Sequence, residues 1–145
     1  MRGMLLLVAL ILLLPLSARA QCTVTVAPVS FGTYLPFSAT PDDATGSVRV
    51  ACTNFAGGYT IALGSGGGTI PARRMASGSA TLLYQLYTTA ARTTIWGNGT
   101  GGSVMVSGSC LVVCSQTYSV YGRIPARQAA RPGTYVDTIV VTVTF

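Results

Sequence analysis

The sequence predicts an all-β chain in which two antiparallel sheets pack as a sandwich. Three observations predict it. Apolar residues recur at alternate positions in run after run, Gly-rich breaks separate the runs, and no segment beyond the first twenty residues shows the i, i+3, i+4 spacing of an amphipathic helix. About six or seven short strands punctuated by turns form the pattern of an immunoglobulin-like fold.

Residues 1–20 read as a secretory signal peptide. Arg2 supplies a positive start, Met4 to Leu14 are unbroken apolar, and "PLSARA" ends on the small residues Ala18 and Ala20. Cleavage after Ala20 would leave Gln21 first, and the apolar run is shorter than the roughly 20 residues that span a bilayer. Residues 21–145 then make one domain.

The strands follow in order. "CTVTVAP" places Cys22, Val24 and Val26 on one face. "VSFGTYLPF" is interrupted by Gly32 and Pro36 and reads as an edge or bent strand. "GSVRVAC" turns Val48, Val50 and Cys52 inward, and "YTIALG" does the same with Tyr59, Ile61 and Leu63. "ATLLYQLYT" is apolar on both faces, and "QTYSVYGRI" offers Tyr118, Val120 and Ile124 on one. The last strand lies in "GTYVDTIVVTVTF", where Tyr135, Ile139, Val141, Val143 and Phe145 share a face. That stripe needs cover, yet nothing after Asp137 protects the strand edge with charge, proline or a bulge.

Four cysteines in a short exported chain indicate an oxidising compartment and two disulfides. Three pairings are possible. Cys22–Cys52 with Cys110–Cys114 is preferred, because the first joins two strand-like segments through inward positions and the second is local. Closing a loop of about 30 residues contributes roughly 3–4 kcal/mol in the chain-entropy model. A zinc site would need all four thiolates, since the chain has no His.

Charge and composition exclude other classes. Beyond Ala20, seven Arg stand against Asp42, Asp43 and Asp137, a net of +4, with no Lys, Glu or His. The arginines form no run, Arg73–Arg74 read as solvated loop charges, and no aromatic interleaving suggests nucleic-acid binding. Acid–base catalysis lacks a His or a convincing carboxylate pair: Asp42–Asp43 sit in "TPDDATG", which reads as a turn, and Asp137 reads as a hydrogen-bonding residue at a strand start. The seven tyrosines and Trp96 read as packing residues. No enzyme and no cofactor is therefore expected, and no metal.

Taken together, Cys22 with "VSFGTY", "VRVACT", "YTIALGSG", "LLYQLYTTA" with "IWGNGT", "YSVYGRIPARQ" and the terminal "GTYVDTIVVTVTF" resemble the spore coat protein U domain family, to which archaic chaperone–usher pilins belong. The resemblance implies an incomplete immunoglobulin-like sandwich lacking its final strand. It implies a periplasmic chaperone, an outer-membrane usher and other pilin subunits as partners, with a donor β-strand laid in a groove beside the last native strand. The acceptor groove is expected at Val24, Val26, Ile139, Val141, Val143 and Phe145, and a chaperone contact at the Phe145 carboxylate. Localisation is expected to be periplasmic and then at the cell surface, without stable membrane insertion.

Two features depart from that pattern. Polymerising pilins carry a donor extension before the first cysteine, and cleavage after Ala20 leaves only Gln21 there, so a position at a fibre end is expected. Cys110 and Cys114 would be about 13 Å apart in an extended strand; pairing them forces Leu111, Val112 and Val113 into a tight turn. That apolar tip is expected to pack under a neighbouring loop, with an exposed contact surface as the alternative. Competing readings of the whole chain are a secreted, non-polymerising module that binds carbohydrate or a surface, and a small outer-membrane β-barrel closed by the terminal Phe strand.

Overall fold

The computed structural model describes residues 19–145; the expected signal peptide lies outside them except for Arg19 and Ala20. The strands are β1 (Gln21–Ala27), β2 (Asp42–Leu63), β3 (Arg73–Ser77), β4 (Ala80–Tyr87), β5 (Val106–Ile124) and β6 (Val141–Thr144), with no helix among the described residues. All pair antiparallel, in the order β1-β2-β5-β4-β3, with β6 joined to the far end of β2.

The long ribbon of β2 and β5 organises the sheet. "GSVRVAC" and "YTIALG", expected as separate strands, are two halves of β2. Val48, Val50 and Cys52 are buried at even positions, whereas Tyr59, Ile61 and Leu63 are buried at odd ones. One extra residue changes the parity: the register to β5 slips between Thr53 and Phe55, leaving Asn54 as a bulge at φ 54°. Opposite it, Val112 adopts φ 69°. The first half of β2 carries β1 on its outer edge and the second half carries β6, so the sheet curls over one core. Trp96 is fully buried there, its Nε1–H donating to the Ile61 carbonyl at 3.0 Å.

Cys22 is bonded to Cys52, its direct cross-strand neighbour, and Cys110 to Cys114 across the bend of β5. The bend corrects the expectation for the tip between them. Leu111, Val112 and Val113 are 85%, 58% and 68% exposed, because they cap the outside of a ribbon that curves away from them.

Three further expectations are corrected. "VSFGTYLPF" forms no strand, because Pro28 lacks a donor and Gly32 turns at φ 74°. Val29 and Phe31 lie across the sheet instead. A Cβ on Gly46 would stand 2.9 Å from Val29, and one on Gly122 would stand 2.6 Å from Val29 and 2.7 Å from Phe31, so both ladder positions must be glycine. Arg73 is fully buried on β3, a strand without an obvious apolar run. Asp42 and Asp43 open β2 rather than a turn, with Asp43 bidentate to Arg123 at 2.7 and 2.8 Å and 3.3 Å from Arg92.

Candidate functional site

β1 and β6 are both edges: each pairs only with β2 among the described strands. Between the chain that follows β1 and the chain that precedes β6 runs a groove of about 910 Å³. One wall is formed by Val26 to Tyr34 and the other by Ala130 to Val141. The floor is core: Val48, Leu82, Leu86, Val120 and Ile124, each no more than 5% exposed. Folded interiors hold few voids larger than a water molecule, so an opening of this size over the core is not a packing fault.

The first wall is held by side chains rather than by a ladder. Among the described residues, no main-chain group of Pro28 to Tyr34 bonds to another main-chain group. Phe31 meets Tyr84 edge-on at 6.1 Å between centroids, and the Tyr34 hydroxyl donates to the Pro125 carbonyl at 3.0 Å. A segment of this kind leaves its peptide groups available to a strand laid beside it.

The second wall is anchored by Asp137. Its Oδ1 accepts from the Gly67 N–H at 2.9 Å and the Thr138 N–H at 2.8 Å, while Oδ2 accepts from the Tyr84 hydroxyl at 2.6 Å. Burial pushes the Tyr84 hydroxyl well above the usual tyrosine range, and the bond to the Asp137 carboxylate adds to it. The phenol therefore stays protonated and keeps donating. Ala76 and Val136 exchange main-chain bonds at 2.9 and 3.0 Å, and the Gly64 N–H donates to the Val140 carbonyl at 2.9 Å. The last strand thus crosses from the free edge of β3 to β2, with Ile139 and Val141 turned into the groove.

Of the six residues expected to line an acceptor groove, Val26, Ile139 and Val141 do. Val24 lies farther along β1, 42% exposed. Val143 packs on the core, and the Phe145 ring sits 5.3 Å from Phe55 and 5.9 Å from Tyr59, both outside the groove. Sequence reasoning missed Val29, Phe31 and Tyr84, and left Tyr135 out of the groove although it placed it on the same stripe. The alternation of Val29 and Phe31 was a usable signal; that they cross the sheet was not. No thiolate is available for a metal, since every Cys among the described residues is disulfide-bonded.

Comparison with known proteins agrees with the architecture. A model of the Spore Coat Protein U domain family matches residues 8–142. Protein U of Myxococcus xanthus is 40% identical over 131 residues, covering 81% of this chain and 71% of that protein. A chain in the crystal structure of the CsuC–CsuE chaperone–tip adhesion subunit pre-assembly complex, from archaic chaperone–usher Csu pili of Acinetobacter baumannii, is similar with a TM-score of 0.60 and 24% identity. That match covers 88% of this chain and only 40% of the other. The likeness is one of fold, an antiparallel immunoglobulin-like arrangement.

Proposed function

The chain belongs to the spore coat protein U domain family, and from that premise we propose that it is an exported structural subunit of a chaperone–usher fibre or related surface coat. Its groove accepts a β-strand from a periplasmic chaperone and then, at an outer-membrane usher, from a neighbouring subunit. The observation that carries this reading is the opening of about 910 Å³ between the segment after β1 and the segment before β6, floored by core residues. A donor strand laid there would supply main-chain bonds to both walls and bury alternate side chains on the floor. Each apolar side chain so buried is worth roughly 1.5–3 kcal/mol.

The absence of a His, and the commitment of Asp43 to Arg92 and Arg123 and of Asp137 to Tyr84, support a structural role over a catalytic one.

The test is a fusion of the chain, through a flexible linker, to an alternating Val–Thr segment of strand length. The expected result is a rise in melting temperature of at least about 10 °C over the same fusion with a Gly–Ser segment. Equal melting temperatures would overturn the reading and favour a self-sufficient secreted module.

A further inference from the structure

At one end of the groove lies a second hollow of about 740 Å³, formed by Pro36, Phe37 and the turn from Arg127 to Arg131. Pro36, Ala130 and Arg131 line both, so the two are continuous. The turn is held rigidly. Gln128 imitates a strand partner to Leu83, its Nε2 donating to the Leu83 carbonyl and its Oε1 accepting from the Leu83 N–H, both at 2.8 Å. Its own N–H donates to the Tyr34 hydroxyl at 2.8 Å. Arg127 sits beside it at φ 59°, a conformation that costs a non-glycine residue energy and persists where surroundings enforce it.

Among the described residues no carboxylate is paired with this corner. It has three carboxylate side chains. Asp43 is taken by Arg92 and Arg123, Asp137 by Tyr84 and Gly67, and Asp42 lies at the start of β2 with Oδ2 buried. Among the described residues neither Arg127 nor Arg131 has an acidic partner. Phe37, 96% exposed, stands beside them.

We propose that this cationic shelf docks acidic residues flanking the strand that the groove accepts, and so selects the donor by the sequence just outside its strand. The inference rests on the groove reading above. Its physical basis is continuity: a strand leaving the groove over Pro36 and Ala130 sets its next residues on Arg131, Arg127 and Phe37. Exposed pairs contribute little individually, but two acting together suffice to rank otherwise similar strands.

The test uses the full secreted chain and synthetic peptides, each an alternating Val–Thr heptamer with Asp-Asp or Ser-Ser at its N- or C-terminal flank, titrated calorimetrically. One acid-flanked peptide should bind about three- to ten-fold tighter than its Ser-flanked counterpart at low salt. The preference should vanish near 1 M salt, where the screening length is about 3 Å. The double variant Arg127→Gln/Arg131→Gln should abolish the preference while binding the Ser-flanked peptide unchanged, which also shows that it is folded. Equal binding of acid- and Ser-flanked peptides overturns the proposal, as does a preference that survives the double variant. If polygalacturonate binds in an Arg127- and Arg131-dependent way while the peptides bind alike, the shelf is a saccharide site and the proposal fails. If no peptide binds, the groove reading falls and this inference with it.

Discussion

Arg73 is completely buried, and among the described residues no carboxylate bonds to it. Its Nε–H donates to the Gly64 carbonyl at 2.9 Å, one terminal nitrogen donates to Gln85 Oε1, and the other to the carbonyls of Trp96 at 2.8 Å and Leu63 at 3.3 Å. One guanidinium thus satisfies acceptors from three segments, and burial lowers its pKa from the ordinary arginine value. Arg73→Ala is expected to cost about 3–5 kcal/mol, because it orphans several buried acceptors at once. Arg73→Lys should recover only part, since a point charge cannot reach them all; denaturant midpoints would measure both. A pair of adjacent arginines looked like solvated charge, yet in a strand neighbours face opposite ways, so one of the two had to point inward. What the sequence could not show was that Gln85 and distant carbonyls would receive it. Asp43 is the opposite case, a partly exposed carboxylate held below its ordinary pKa chiefly by its hydrogen bond to Arg123. Its contribution is full above the unfolded value of about 3.9 and is lost as pH falls through the lower folded value. Asp43→Asn should therefore lower stability at pH 7 by a few tenths to about 1 kcal/mol, a difference that shrinks as pH falls below the unfolded value and that melting curves across a pH series would reveal.

Elements were legible where alternation is local. The strand around Val48 to Cys52 and the one around Tyr59 to Leu63 have the faces expected of them. Their union into one strand was not legible, because an even-to-odd change of phase reads equally as a turn or a bulge, and only pairing with β5 distinguishes the two. β3 escaped notice because "RRMAS" carries no apolar stripe; its place comes from pairing with β4 and from Arg73. The bend of the ribbon holds a β-branched residue, Val112, in left-handed backbone at an exposed position. Such a conformation costs about 1–3 kcal/mol. Val112→Gly is accordingly expected to stabilise the domain by about 1 kcal/mol, against the usual penalty for glycine in a strand, and Val113→Gly to destabilise it. Equal losses from both in urea titration would mean that the bend is not strained.

At the scale of the whole molecule, the sequence showed one wall of the groove and not the other. The inward stripe of the last strand is local periodicity. The opposite wall exists because Gly46 and Gly122, on two different strands, clear a path for Val29 and Phe31, and no single run of sequence displays that. The fold also sets a chemical hazard. Cys52 lies between Cys22 on β1 and Cys114 on β5, directly opposite each, and the Sγ atoms of Cys52, Cys110 and Cys114 fall within 4.8 Å of one another. In the register of β2 and β5 a Cys52–Cys114 bond is within reach until β1 delivers Cys22. A bond closed there would leave Cys22 without its partner, and thiol exchange is the route back to Cys22–Cys52. Oxidative refolding is expected to pass through a Cys52–Cys114 isomer, trapped by acid quench and identified by peptide mapping, that a disulfide isomerase removes. In a Cys110→Ser/Cys114→Ser variant the wrong bond cannot form, and Cys22–Cys52 should close faster and without isomerase, whatever that variant loses in final stability.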